Sequence, residues 1–448
     1  MAMSQLLRST ERLASVFLIA AIFISIGSFP SLLAGFQGYG GLLIAAGVFL
    51  VLLSLSMMGY ALYVVNMVMR AEIYGGGGRG FEGDEIEISY TICNRSLYPL
   101  LFIELMLIYP SYLRLLRGSR RALALIPPKG CVKYVAIFEG RTGSHVIGPL
   151  RLVVRDPLGL FRSDEIDIGK PIELRVYPRY IPASYRESTA LTRAIGIARS
   201  RVAGGGTEFL SVREYREGDE PRRIVWRHTA RWGRLIVKET EKEASAGVIY
   251  ILPVDGTAFR GPYRETPFEI SARIIATLAK SSSHKGDSIA LIAFGKGFLD
   301  IVPPIRGVNA YRRVISSLSK IAFSPDLEKP AEEDHVRIIR AISRYVDEGS
   351  SVLLFLHPTM DPEYASNLAE LIRRAAKASG GSIYAVIPTP DINATGKKDL
   401  ASRLEALRMI KGGMDIMRSL FKRGIPTINI SYRDIAKISR LIELFRMP

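Results

Sequence analysis

Gly204–Lys242 reads GGGTEFLSVREYREGDEPRRIVWRHTARWGRLIVKETEK, and the fold turns on it because the hydrophobic pattern differs on its two sides. It holds both tryptophans of the chain, Trp226 and Trp232, among alternating arginines and carboxylates. Downstream, continuous apolar runs at Gly247–Val254, Ser288–Phe294, Ser351–Leu356, Ser382–Ile387 and Thr427–Ser431 read as buried strands. Helical periodicity fills the intervals at Thr266–His284, Val308–Ile321, Glu332–Val346, Pro362–Ala378 and Lys398–Lys422, and a last helix is expected over Arg433–Phe445. This alternation predicts a doubly wound, mainly parallel α/β sheet over 247–448, covered by helices on both faces.

Upstream, from Phe81 to Tyr180, the pattern is one of short alternating segments such as Glu85–Ile92, Leu150–Arg155 and Ile172–Tyr177. Turn signals separate them at Asn94, Pro127–Gly130, Arg141–Ser144 and Asp156–Gly159. That spacing predicts an antiparallel β-sandwich over 81–180, with 181–246 as a junction. The run YGGGGRG, Tyr74–Gly80, reads as a flexible linker over 71–80, since no GK[ST] sequence follows that would make it a phosphate loop.

The N-terminal part of the 448-residue chain sets its relation to a membrane. No charged residue occurs between Arg12 and Arg70, and a turn-like stretch around Gly35, Gln37, Gly38, Gly40 and Gly41 divides the interval. Each half is long enough to cross a bilayer, which takes roughly 20 apolar residues. Two transmembrane helices are therefore expected within 1–70, at about 13–34 and about 42–68, forming a helical hairpin. A cleaved signal peptide would have a shorter apolar core and no second span. Arg8 and Arg12 precede the first span and Arg70 and Arg79 follow the second, so the positive-inside rule puts both termini and the soluble body in the cytoplasm.

The two cysteines, Cys93 and Cys131, are too few for a disulfide scaffold or a cysteine-rich zinc site, and in a reducing cytoplasm they read as free core thiols. The net charge of +17 suits nucleic acid or an anionic membrane surface, but acidic residues are interleaved nearly everywhere. Glutamine occurs at Gln5 and Gln37 alone, which fits a thermophilic source in which labile amides are avoided.

Catalytic patterns are poor. The five histidines lie far apart without H-E-x-x-H spacing, and neither a G-x-S-x-G elbow nor a Walker loop is present. Gly295-Lys-Gly-Phe reads as a turn and Gly204-Gly-Gly-Thr as a hinge.

The run from Arg213 to Arg231, continued by Leu235, Lys238 and Glu239, resembles the signature of the family called domain of unknown function fifty-eight. Arg141-Thr-Gly, Gly148-Pro149, Arg155-Asp-Pro-Leu-Gly-Leu-Phe161 and Tyr177-Pro-Arg179 resemble the sandwich that precedes that signature in the family. The resemblance extends from the membrane hairpin to about Phe323. It implies a von Willebrand factor A-like domain after the signature and a partner in the MoxR class of AAA+ ATPases. An A-like domain often holds Mg2+ through a DxSxS loop after its first strand, a hard cation on oxygen ligands. Here the loop is Asp255-Gly-Thr-Ala-Phe: Asp255 and Thr257 are the ligands it offers, Phe259 cannot coordinate, and Thr359 or Asp361 is a further donor beyond the third strand. The bland reading is that Asp255 satisfies loop amides and that no cofactor is held.

For the signature itself two readings compete. Arg213, Glu214, Tyr215, Arg216, Gly218, Asp219, Arg222, Trp226, Arg231 and Lys238 either form an interdomain ion network with the tryptophans as packing anchors, or present a surface to an acidic or phosphorylated partner. The first reading is favoured. The expectation is a membrane-anchored, non-enzymatic adaptor that works with a MoxR-type AAA+ ATPase. A metal-dependent enzyme using the Asp255 loop and nucleic-acid binding through the basic junction are the alternatives. Carboxylates beside the junction arginines argue against the latter, so no nucleic acid is expected.

Overall fold

The computed structural model describes residues 7–28, 39–180, 203–216, 219–241, 247–285, 287–391 and 400–431. They fall into two compact units, Met1–Val176 and Tyr177–Pro448.

The first unit begins with a short strand, β1 (Leu7–Ser9), and two helices, α1 (Glu11–Ser28) and α2 (Tyr39–Met69), each long and apolar enough to cross a bilayer. The turn centred on Gly35, Gln37 and Gly38 lies outside the described residues, whereas Gly40 and Gly41 already belong to α2. Small residues line the contact between the helices: Ala20 and Gly27 of α1 and Gly47 and Ser54 of α2 are buried. A Cβ on Gly47 would stand 2.8 Å from the Ala20 carbonyl oxygen, so glycine lets the two backbones meet.

At roughly 1.5 Å per residue α2 is about 46 Å long, well beyond the ~30 Å hydrocarbon core. The surplus is used in the sandwich, whose core includes Val64, Val65 and Val68 of this helix. After one turn the chain enters β2 (Glu72–Gly76) and β3 (Arg79–Phe81), so the linker expected over 71–80 is corrected to two strands. Those glycines are packing surfaces: a Cβ on Gly77 would fall 1.9 Å from Ile172 Cγ2, and one on Gly78 would fall 2.4 Å from Ile86 Cγ2.

The remaining strands of the unit are β4 (Glu85–Cys93), β5 (Leu100–Leu107), β6 (Leu115–Arg117), β7 (Arg121–Ile126), β8 (Cys131–Glu139), β9 (Gly143–Ile147), β10 (Leu150–Val154), β11 (Phe161–Ser163), β12 (Ile166–Ile168) and β13 (Ile172–Tyr177). The main sheets run β2-β4-β8-β6, β12-β10-β5-β7 and β3-β13-β9. In β4 every second residue is buried, as its sequence alternation predicts. Fully buried Tyr90 donates its hydroxyl to the carbonyls of Ile147 and Lys170, both at 3.2 Å.

The cysteine reading is overturned. Cys93 and Cys131 sit directly opposite each other at the ends of β4 and β8, with Cα atoms 4.1 Å apart, and form a disulfide. Neither is a core thiol, for Cys131 is exposed. Their 38-residue separation conceals an antiparallel register that the sequence spacing does not reveal.

In the second unit β14 (Ala203–Glu214) pairs antiparallel with β15 (Ile236–Glu241), and the short helix α3 (Trp226–Trp232) lies between them in sequence. The α/β part comprises β16 (Val248–Pro253), α4 (Pro267–Lys285), β17 (Ser288–Gly295), β18 (Phe298–Arg306), α5 (Val308–Lys320), α6 (Glu332–Tyr345), β19 (Ser351–Phe355), α7 (Pro362–Ala378), β20 (Ser382–Thr389), α8 (Leu400–Lys422) and β21 (Thr427–Ser431). Its six-stranded sheet has the order β18-β17-β16-β19-β20-β21. All neighbours are parallel except β17 and β18, which form a hairpin turning at Gly297, so Gly295-Lys-Gly-Phe is indeed a turn. Strand β18 was not foreseen because Pro303 and Pro304 interrupt its pattern; an edge strand tolerates them. The helix expected over 433–445 lies outside the described residues, as do 181–202 and 242–246 of the junction.

Gly47→Val should force α1 and α2 apart and lower the stability of the full-length protein in detergent by about 1–3 kcal/mol, the usual range for overpacking. Thermal melts of parent and variant check this, and equal midpoints would contradict the close helix contact.

Candidate functional site: the signature hairpin and the strand ends

The signature folds as a self-locked hairpin. Arg213, leaving β14, places its guanidinium on Asp219 in a two-bonded fork, both contacts at 2.7 Å. The same carboxylate accepts the Arg216 amide at 2.8 Å. These bonds, the Arg213 pair foremost, hold the Asp219 carboxyl down at about 2. Tyr215 donates its amide to Leu235, Ile224 bridges Val237, and Val225 donates to Ile236. The Thr229 hydroxyl accepts the Ile236 amide at 3.1 Å, and Gly233, at φ 67°, ends α3 in the left-handed conformation. Ile236 and Val237 are buried beneath this lock.

Much of the predicted site is thus spent within the hairpin. Arg213 and Asp219 are paired, Glu214 is paired with Arg234, and the Tyr215 amide belongs to the backbone lock. Lys238 is half-buried in β15, whereas Arg216, Arg222 and Arg231 are exposed. Gly218 lies outside the described residues. The tryptophans depart from the favoured reading: α3 has no buried residue, and Trp226 and Trp232 are 66% and 52% exposed. They are not packing anchors, because their seven-residue helix is held from its ends by backbone bonds and by Thr229 rather than by its faces. His228 stands edge-on to Trp232, ring centres 6.0 Å apart.

The second location is the crevice at the carboxyl ends of β16 and β19, where the strand order reverses and ligands of open α/β sheets bind. Asp255 is buried and accepts the Thr257 amide at 2.9 Å and its hydroxyl through Oδ1. Asp255 Oδ2 has no hydrogen-bond partner among the described residues. Thr359 donates its hydroxyl to the Thr257 carbonyl at 2.7 Å. Asp361 is occupied as the N-cap of α7, accepting the amides of Glu363 and Tyr364 at 3.0 and 2.9 Å. Phe259 packs on Phe268 and Phe323.

The structure brings Asp255, Thr257 and Thr359 together, yet engages both hydroxyls and directs Asp361 elsewhere. Among the described residues no group of three or more His, Cys, Asp or Glu is placed to hold a metal. The residue that sequence reasoning missed here is His357. Fully buried, it bonds the Pro253 carbonyl through Nε2 at 2.5 Å and leaves Nδ1 unpartnered among the described residues. Burial lowers its pKa against the opposing charge of Asp255. The signal was its position immediately after a buried strand.

One more motif has a visible task. In Arg155-Asp-Pro-Leu-Gly-Leu-Phe161 the Asp156 carboxylate accepts the amides of Leu158 and Phe161. The loop so held offers the carbonyls of Gly159 and Leu160 to the Thr10 hydroxyl at 2.7 and 3.1 Å. Leu160 and Phe161 pack with Ala61 against Leu13, Val16 and Met57 of the helices, and β1 pairs with β11. The motif therefore clasps the helical hairpin to the sandwich.

With that geometry in hand, residues 211–354 match the model of the family described as "Protein of unknown function DUF58", the family that the signature resembles. The match starts within β14 and runs past Phe323 into β19. The chain is similar to proximal thread matrix protein 1 from the mussel byssus, at 11% identity and TM-score 0.27, over 44% of this chain and 46% of that one. It thus spans about half of that protein's length. It is also similar to the SpRpn10 VWA domain (10% identity, TM-score 0.26, 44% and 94% covered) and to a non-cellulosomal cohesin from Archaeoglobus fulgidus (17% identity, TM-score 0.17, 24% and 90% covered). The comparison with curated proteins finds no match.

Because folded His357 stays neutral while an unfolded histidine takes up a proton near its ordinary pKa of about 6.5, its contribution is present above that value and is lost as pH falls. Melting of the full-length protein in detergent between about pH 7.5 and about 5.5 should therefore show an acid-side loss that His357→Gln reduces. Parallel curves for parent and variant would exclude this role.

Proposed function

We propose that the protein is a membrane-anchored, non-enzymatic adaptor whose soluble body presents a protein-binding surface on a von Willebrand factor A-like scaffold. The observation that carries this reading is the pair of exposed tryptophans on α3, flanked by exposed Arg222, Arg227 and Arg231. Tryptophan and arginine dominate binding hot spots because they bury a large area for little lost freedom and make directed contacts. A seven-residue helix with no buried residue contributes little to a core, so its aromatic side chains are free to serve a partner. The cationic rim suits an acidic surface, and the family resemblance makes a MoxR-type AAA+ ATPase the partner of choice.

The two alternatives have less support. Arg213 and Arg234 are paired with carboxylates, which thins the basic surface available to nucleic acid. At the Asp255 loop the hydroxyls that would join a metal are engaged in internal bonds.

Arginines at both ends of the helical hairpin support a cytoplasmic soluble body, by the positive-inside rule. A disulfide there is the habit of hyperthermophile cytoplasm, in keeping with the scarcity of glutamine.

Full-length protein in nanodiscs should bind the purified MoxR-type ATPase of its own organism, loaded with a non-hydrolysable nucleotide. Trp226→Ala and Trp232→Ala should each weaken that complex by about 2 kcal/mol, roughly 30-fold. Absence of binding by the parent, or unchanged affinity in both variants, would remove the adaptor reading. Topology has its own check: after reduction in sealed inside-out vesicles, a membrane-impermeant maleimide should label Cys131, and labelling from outside intact cells instead would reverse the orientation.

A further inference from the structure

The place where α2 leaves its apolar segment and enters the sandwich is ringed by exposed apolar side chains that the core does not use. Leu97 is 71% exposed, Tyr98 66%, Leu125 59%, Leu158 45% and Phe102 37%. They come from the loop before β5, from β5 itself, from its neighbour β7 and from the Asp156–Leu160 loop. Their connection to α2 is direct. The Leu101 amide donates to the Tyr60 hydroxyl at 3.1 Å, and Tyr63 meets Tyr98 edge to face with ring centres 6.1 Å apart. Phe102 is tied to the neighbouring loop by its carbonyl, which accepts the Arg155 amide at 3.1 Å.

Two independent measures give the height of this rim relative to a bilayer. From Tyr39 to Gly59 helix α2 rises about 31 Å, the thickness of a hydrocarbon core. Tyr60 and Tyr63 therefore mark its boundary, the level at which tyrosines concentrate. On the other helix, Leu13 and Val16 pack in the same cluster as Met57 and Ala61, so the first charges of α1, Glu11 and Arg12, reach that level too. Farther along β5 the outward Glu104 is paired to Arg155 at 2.9 Å, beside exposed Leu123 of β7. An exposed apolar rim at that height suits a surface seated in a bilayer interface.

We propose that Leu97, Tyr98, Phe102, Leu125 and Leu158 form a foot by which the sandwich rests in the headgroup and upper acyl region of the membrane around the α2 stem. The occupant of this apolar rim is lipid, and the proposal rests on the reading of α1 and α2 as membrane spans. The foot and the Tyr60 and Tyr63 contacts hold the sandwich upright on the membrane, so that its orientation is set by the bilayer as well as by the helices.

The test uses full-length protein carrying Trp226→Phe and Trp232→Phe, with a reporter tryptophan introduced by Leu97→Trp in one variant and by Val48→Trp in another. Both positions are exposed, so neither reporter disturbs packing. Each is reconstituted in phosphatidylcholine vesicles brominated at shallow or at deep acyl positions. The Leu97→Trp reporter should show blue-shifted emission, quenched more by shallow than by deep bromines, and the Val48→Trp reporter should be quenched most by deep ones. Deep quenching of the latter with water-like, unquenched emission at Leu97→Trp would overturn the foot while leaving the spans intact. A Leu97→Trp reporter shielded from aqueous acrylamide yet untouched by bromines would mean that protein covers the rim, and would also overturn it. Loss of quenching at both positions would remove the spans and the foot together.

Discussion

Helix α2 joins two different surfaces with one continuous backbone. Its first part is uncharged and outward-facing, fit for lipid, and its last turns place Val64, Val65 and Val68 in the core of a β-sandwich. An α-helix satisfies its own backbone hydrogen bonds, so it can pass between the two without exposing unpaired amides. The sandwich is consequently fused to the apolar helix that precedes it. The glycine run after α2 continues the fusion, since strands β2 and β3 close on Ile172 and Ile86 where any side chain would collide. The Asp156 loop and β1 add a second clasp from the other helix.

The signature hairpin shows how one motif divides its residues between folding and display. Arg213, Asp219, Thr229 and Gly233 make the bonds that hold the turn and end the helix, and their chemistry is used up there. Trp226, Trp232 and the side chains of Arg222, Arg227 and Arg231 stand exposed. Charge pairing between close neighbours in sequence is thus structural, while the large aromatic groups are left exposed.

In the α/β unit the crevice beyond β16 and β19 keeps the position that open sheets reserve for ligands, but its donors have turned inward. Thr257 bonds Asp255, Thr359 bonds the loop carbonyl, and His357 occupies the space between the strand ends as a neutral buried ring. Asp255 Oδ2, His357 Nδ1 and the Tyr364 hydroxyl beside Asp255 are buried without a hydrogen-bond partner among the described residues.

The alternation of strands and helices after Gly247, the alternation within β4 and β13, and the two apolar helices were legible in the sequence, because local periodicity reports which face of an element is buried; in β10 Val153 and Val154 are both buried, so its expected alternation fails. The helix read from periodicity over Pro362–Ala378 has those bounds, and Asp361, read as a metal donor, is its N-cap instead. What tertiary structure alone decided was every matter of register and neighbourhood: Cys93 opposite Cys131, glycines closing on Ile172 and Ile86, β18 at an edge that tolerates prolines, tryptophans left outside, and His357 set beside Asp255. Periodicity records how each segment meets the core, whereas pairing between segments far apart in the chain depends on how strands align across the fold, which no local pattern encodes.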